Sequence, residues 1–365
     1  MNTTRSSLVS AAVAVSALVA LVPATPAHAL PPLPAPNSNG ITLTAITQVG
    51  GDPRMLDATM TTGAIFRPGA NPSINPTTVP VHVRIYLPDR YTTDPAHPYP
   101  VLLLLHGGGG DFEQWSKDGD IKTIVGGSPF RGIVVMPEGG KSGWYNDWPG
   151  ETDGHFAPAW EMFHIGQLLP WIDANFNTTR SRSGRAVAGL SMGGFGALKY
   201  AAAHPTVFSA VGAFSPGTDV RQPEAQNIVN TALLVYGAAF SWNGLLDGNY
   251  RISGDTDHRL RTVFGDPAGW SSINPIELAA RYTAYNTRFG LYVGQGPSDS
   301  GEAQLGRWTD TFHARLSEVP VLHRYCRGPG AHSFDYWKPD LADFLAYVYG
   351  APNASCPNGW GAPAS

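Results

Sequence analysis

Between an apolar segment, Arg185 to Gly189, and an alanine-rich one ending at Ala203, the chain reads Gly189-Leu190-Ser191-Met192-Gly193. A G-x-S-x-G run in that setting requires a strand that turns into a helix within a few residues, with the serine at the tightest point. Such a turn strains the backbone at the serine and tolerates only small neighbours, here Gly189, Gly193 and Gly194. The helix expected over Gly194 to Ala203 stops at His204-Pro205, because proline has no N–H to continue the ladder. Ser191 is thereby presented at a helix N-terminus and is the candidate nucleophile. With 42 glycines in 365 residues, the motif alone is a weak signal, and the strand and helix around it carry the weight.

Elsewhere, apolar runs alternate with helical segments, the pattern of an α/β fold with a mostly parallel central sheet flanked by helices. Strands are expected at Val81 to Tyr86, Val101 to Leu105, Gly132 to Met136, Arg185 to Gly189, Val207 to Ala213, Phe289 to Val293 and Val321 to Tyr325. Ile41 to Thr47 and Met55 to Ile65 add antiparallel edge strands. Helices are expected at Trp160 to Phe176, Gly194 to Ala203, Gln304 to Leu316 and Pro339 to Tyr349. Residues 217–280 break the rhythm and read as a cap-like insertion over the active site or as a structural excursion. One catalytic domain, 41–350, accounts for the rest, with a C-terminal tail over 351–365.

The N-terminus bears on location. Arg5 precedes the uncharged run Leu8 to Val22, and Ala27-His28-Ala29 follows as a cleavage site, so residues 1–29 read as a secretory signal peptide. A proline-rich lead over 30–40 is expected to be extended and poorly ordered. Removing the leader takes one of the 24 basic residues and none of the 28 acidic ones, so the formal charge moves from −4 to −5. That leaves no polybasic patch for nucleic acid or anionic lipid. No other stretch is apolar and long enough for a stable membrane span, so a secreted or cell-wall-associated product is expected, taken as a monomer. In an exported chain, Cys326 and Cys356 are expected to form a disulfide that pins the tail.

Leu105-His106-Gly107-Gly108-Gly109-Gly110 follows an almost fully apolar strand and reads as an oxyanion loop. Acyl transfer builds charge on a carbonyl oxygen, and two backbone N–H groups must already point there; Met192 and Gly108 are the expected donors, with Gly107 and Gly109 as alternatives to the latter. His106 itself reads as structural. In the order nucleophile, acid, base, the base is His332, in a loop between the last strand and the C-terminal helix. His204, His313 and His323 fall on helix or strand patterns, and His155 and His164 come too early. The acid follows the strand Phe289 to Val293: Asp299 is preferred and Glu302 is the alternative. No cofactor is called for, and no metal, since the pairs Asp118/Asp120 and Asp255/Asp257 lack a calcium-loop pattern.

Together with Gly143-Trp144-Tyr145-Asn146-Asp147-Trp148, Trp160-Glu161, Asn274-Pro275, Gly294-Gln295-Gly296 and His332-Ser333-Phe334-Asp335-Tyr336-Trp337, these residues resemble an esterase family of α/β hydrolases over about residues 80–350. That family includes esterase D and feruloyl-esterase types and the antigen 85 type mycolyltransferases. The resemblance implies an α/β-hydrolase fold with Ser191, Asp299 and His332 in the catalytic positions. It also implies a secreted serine carboxylic-ester hydrolase working through an acyl-enzyme on a small-molecule or lipid ester. The alternative is an acyltransferase of the mycolyltransferase/diacylglycerol acyltransferase type, moving the acyl group to a sugar or glycerol hydroxyl. Antigen 85 type enzymes carry an acidic and a basic side chain in the oxyanion loop, whereas this chain has His106 and plain glycines, which looks more like the general carboxylesterases. Trp144, Tyr145 and Trp148 either line an acyl pocket or pack in the core.

Overall fold

Val101–Leu105 illustrates how the apolar runs become a sheet. In the computed structural model, Leu102 and Leu104 pack into one hydrophobic cluster and Leu103 and Leu105 into another, so the strand is buried on both faces. Continuous apolar sequence is what a parallel strand between two helical layers needs. The structure describes residues 33–65, 80–91, 93–149, 157–236, 252, 254–298, 300–361 and 364. The leader 1–29 and Asp299 lie outside them.

The strands, in chain order, are β1 (Asn37–Ser38), β2 (Ile41–Val49), β3 (Asp52–Thr62), β4 (Val81–Tyr86), β5 (Val101–Leu105), β6 (Ile133–Pro137), β7 (Arg185–Leu190), β8 (Ala210–Phe214), β9 (Arg288–Gly294) and β10 (His323–Gly328). They form one sheet in the order β1-β2-β3-β4-β6-β5-β7-β8-β9-β10. From β6 to β10 every pairing is parallel, and β1 to β4 extend the sheet antiparallel from β6. In such a sheet, ligands bind in the crevice beyond the carboxyl ends of the strands.

The helices are α1 (Gln114–Lys117), α2 (Ile121–Gly127), α3 (Leu169–Asn175), α4 (Met192–Ala203), α5 (Pro223–Tyr236), α6 (Thr256–Phe264), α7 (Pro275–Leu278), α8 (Gly301–Glu318) and α9 (Phe334–Tyr349). Met162–Leu168 is a π-helix running into α3, just ahead of Pro170, which has no N–H to donate.

Several boundaries differ from the sequence reading, among them the starts of the last strand and of the last two helices. The Val321 N–H bonds back to the Leu316 carbonyl at 2.9 Å, so the last strand starts at His323. α8 starts three residues earlier than expected because the Ser300 side chain accepts the Ala303 N–H at 3.2 Å as an N-cap. α9 starts at Phe334 and carries Pro339 inside the helix. The lead is extended but tied down from Leu33 on. Ala35 and Asn175 exchange hydrogen bonds at 2.9 and 2.8 Å, and the Trp171 indole donates to the Pro36 carbonyl at 2.9 Å.

Cys326 of β10 is bonded to Cys356, with the Cα atoms 5.6 Å apart. The tail then runs behind the loop that follows β10. The Trp360 indole donates to the Pro329 carbonyl at 2.7 Å, and Ala364 pairs with Tyr325. In the chain-entropy account, closing a loop with a sequence separation of 30 stabilises by about 3 to 4 kcal/mol. A Cys356→Ser variant should lose about that much in urea denaturation, and the wild type should match it once reduced.

Candidate active site

Five of the parallel strands end on one rim of the sheet, and each contributes to a single cleft. β7 runs into Ser191, which holds φ 53° and ψ −115°, a region side chains seldom occupy. The closeness of the turn fixes its neighbours: a Cβ on Gly189 would meet the Gly193 carbonyl oxygen at 2.4 Å, and one on Gly193 would meet the His106 carbonyl oxygen at 2.5 Å. Met192 opens α4, so its N–H has no intrahelical acceptor. Ser191, Met192 and Gly108 line one cavity of about 530 Å³, together with Trp144 and residues of α5. Among the described residues no hydrogen bond takes the Gly108 N–H, and an added Cβ there would meet nothing nearer than the Lys141 carbonyl oxygen, at an ordinary contact distance of 3.8 Å.

His332 stands in the loop after β10, with its ring edge-on to Trp337, the centroids 4.8 Å apart. Its Nδ1 is 2.7 Å from Oε2 of Glu302. Glu302 sits in the first turn of α8 and is buried. Its Oε1 accepts the Gly294 N–H at 2.7 Å and the Ser215 hydroxyl at 2.8 Å. Ser215, just past β8, accepts in turn from the Trp337 indole at 3.0 Å. The carboxylate beside His332 is that of the alternative acid, Glu302, while Asp299 lies outside the described residues. The earlier start of α8 moves Glu302 from a loop into a capped helix turn aimed at β9.

The sequence reading passed over Ser215 and gave Trp337 only as part of the resemblance, without a role. The one signal for Ser215 was its place at the carboxyl end of an apolar strand. For Trp337 it was its position five residues after His332, where the expected loop was already helix.

A second cavity, of about 340 Å³, holds Ser191, His332 and Glu302 on one side. Its other walls are apolar, with Val220, Ala225 and Val229 from the 217–280 segment and Leu305 and Trp308 from α8. Trp144, Ser191, Met192 and Ile228 line both cavities, so the two meet at the serine. Glu224, Asn227 and Thr231 of α5 and Gln304 of α8 give the larger cavity a more polar wall.

Of the three aromatic residues expected at an acyl pocket, only Trp144 reaches either cavity. Tyr145 is fully buried, with its hydroxyl donating to the His106 carbonyl at 2.8 Å. Trp148 is buried and donates to the Gly143 carbonyl at 3.1 Å. Both pack in the core, and the chain leading to them carries two consecutive left-handed residues, Trp144 and Tyr145, at φ 51° and 53°. No group of three or more His, Cys, Asp or Glu residues with metal-site geometry occurs among the described residues. None of their helices is long and apolar enough to cross a membrane.

Beneath the oxyanion loop lies a buried polar network. His106 accepts the Gly139 N–H on Nε2 at 2.9 Å, so Nδ1 carries the proton and donates to the Gly107 carbonyl at 2.8 Å. His164 lies between the Glu138 carbonyl and the Tyr200 hydroxyl, at 2.8 and 2.9 Å. Burial holds His106 down to about 4 and His164 to about 3. Although burial opposes it, hydrogen bonds from His204 and Lys199 keep Glu161 down at about 2.

The Esterase family model matches residues 75–348. Esterase Rv1288 of Mycobacterium tuberculosis is 35% identical over 323 residues, 85% of this chain and 62% of that protein. The chain therefore spans less than two thirds of that relative's length. Diacylglycerol acyltransferase/mycolyltransferase Ag85A of Mycobacterium leprae is 30% identical over 281 residues, 69% of this chain and 77% of that protein. Among solved structures, a ferulic acid esterase superposes with a TM-score of 0.57 at 21% identity, covering 81% of this chain and 97% of that one. Mycobacterium tuberculosis MPT51 superposes with 0.56 at 19% identity, covering 80% and 97%. The fold is that of the α/β hydrolases.

The buried histidines set an acid limit. Their folded values lie below the unfolded value of about 6.5, so protons bind the unfolded chain first. Their stabilisation is complete above about pH 6.5 and is lost as pH falls through about 4 and about 3. Buried Asp340, whose carboxyl is raised by burial and by the charges of Asp343 and Glu302, acts in the opposite sense. Melting temperatures between about pH 7 and 4 should therefore fall less steeply in His164→Gln than in the wild type.

Proposed function

Because this chain belongs to the esterase family, we propose that it is a serine carboxylic-ester hydrolase whose triad is Ser191, His332 and Glu302. The observation that carries this reading is the 2.7 Å contact between Glu302 and His332 Nδ1, made in a cavity that also holds Ser191. Glu302 keeps the proton of the neutral imidazole on Nδ1, which leaves Nε2 free as the base. In the reaction, Nε2 takes the Ser191 proton as Oγ attacks the ester carbonyl. The Gly108 and Met192 N–H groups receive the developing oxyanion. The imidazolium then returns its proton to the departing alkoxide, leaving an acyl-enzyme. Water, deprotonated by the same nitrogen, attacks that acyl-enzyme and frees the acid.

The apolar 340 Å³ cavity suits the acyl group and lies within the size range of small-molecule sites. The cleft bordered by Asn227, Thr231 and Gln304 suits the alcohol. That polar wall favours a second reading, in which a hydroxyl-bearing acceptor replaces water and the chain acts as an acyltransferase. The leader pattern at 1–29 supports export.

The test is an ester series from acetate to palmitate, with and without glycerol or trehalose, and identification of the acyl products. Free acid alone supports the hydrolase, and acyl-glycerol or acyl-trehalose the transferase. Ser191→Ala should lower turnover by roughly 10⁶-fold and Glu302→Gln by roughly 10³ to 10⁴-fold, as for other triads. Asp299→Asn should leave turnover near that of the wild type. A larger loss in Asp299→Asn than in Glu302→Gln would reject the acid assignment.

A further inference from the structure

A trans peptide is planar, so whatever orients the Gly107 carbonyl also orients the Gly108 N–H on the other side of the same amide. That carbonyl accepts the His106 Nδ1–H at 2.8 Å and the Gly110 N–H at 3.1 Å. We propose that His106 is the positioning residue of the oxyanion hole: by holding the Gly107 carbonyl, it aims the Gly108 N–H at the acyl carbonyl oxygen bound over Ser191.

The imidazole has no freedom to do otherwise. It is 1% exposed, its Nε2 accepts the Gly139 N–H at 2.9 Å, and its own carbonyl accepts the Tyr145 hydroxyl at 2.8 Å. The Glu138 carboxylate, 3.7 Å from Nε2, is engaged by the Gly140 N–H at 3.2 Å. The neighbouring amides are fixed separately. Gly107 N–H donates to Gln114 Oε1 at 2.9 Å, and Gly109 N–H to the Lys141 carbonyl at 2.8 Å. The Gly107–Gly108 peptide is thus the member of the loop held through an imidazole, and its N–H, on a residue that lines the cavity, has no acceptor among the described residues. A donor on its carbonyl also polarises the amide, strengthening the N–H by on the order of 10 to 30%.

The kinetic arm of the test rests on the esterase reading; the spectroscopic arm does not. An asparagine amide nitrogen lies as many bonds from Cα as Nδ1, and the glutamine amide as many as Nε2. His106→Asn therefore keeps the donor to Gly107, and His106→Gln loses it. For an oxygen ester, His106→Gln should lower kcat by about 10 to 100-fold, less than removing an oxyanion donor outright, with KM nearly unchanged. The preference for an oxygen ester over the matching thiono ester should shrink, because sulfur accepts hydrogen bonds poorly. His106→Asn should recover most of both.

Equal losses in the two variants with an unchanged oxygen-to-thiono ratio would overturn the proposal, as would wild-type kinetics in both. Should the variants fail to fold, or the wild type fail to hydrolyse esters, histidine ¹⁵N NMR on the wild type decides. A neutral His106 protonated on Nδ1 at pH 7 is expected, and an Nε2–H tautomer or an imidazolium would refute the assignment.

Discussion

A carboxylate removed from water is costly unless both of its oxygens are met, and Glu302 is met on both. Gly294 and Ser215 hold one oxygen and His332 the other. Those three partners come from the carboxyl ends of β9, β8 and β10, so one side chain ties together three adjacent strands at the rim where the site lies. Unpairing a buried charge costs several kcal/mol, which makes this hub a structural requirement before it is a chemical one. Trp337, which donates to Ser215 and sets its edge against the His332 ring, brings α9 into the same cluster.

The other half of the cleft is built on different physics. Around Ser191 and the glycine loop there is little room for side chains, and alignment comes from close backbone approach and from neutral buried groups. His106, His164, Tyr145 and Tyr200 contribute hydrogen bonds with no net charge, in a region where burial keeps both imidazoles deprotonated. An ammonium beside these groups, that of Lys199, is paired with Glu161 and donates to the Tyr145 carbonyl at 3.1 Å. The charged half and the neutral half meet at Ser191, with Trp144 and Ile228 lining the cavities on both sides.

Much of this was legible in the residues. The run Val101–Leu105 announced a doubly buried strand, and the glycines around Ser191 announced the turn. A loop histidine between the last strand and last helix stood out from histidines on regular elements. The carboxylate beside His332 was harder to read, because a glutamate in a helix's first turn looks like an ordinary partner of the helix dipole. Only the Ser300 cap, which draws the helix start back to Gly301, gives Glu302 its direction. The aromatic run at 144–148 was equally opaque. Whether each ring faces a cavity or the core depends on two consecutive left-handed residues, Trp144 and Tyr145, that no propensity suggests. Helix α5 escaped notice because its surroundings are rich in turn residues, and its apolar positions divide between the cavities and the core, where Leu233 is fully buried.

The strand order carries one more consequence. β5 lies between β6 and β7 although it precedes both in the chain, and the residues over the cleft are drawn from β5, β7, β8, β9 and β10. The glycine loop, the serine and the histidine follow β5, β7 and β10, far apart in the chain, so the cleft is complete only with β10 in place beside β9. A chain cut short before β10 would keep the glycine loop and Ser191 and yet lack His332, so the most C-terminal strand of the sheet is as much a part of the cleft as the turn that holds the serine.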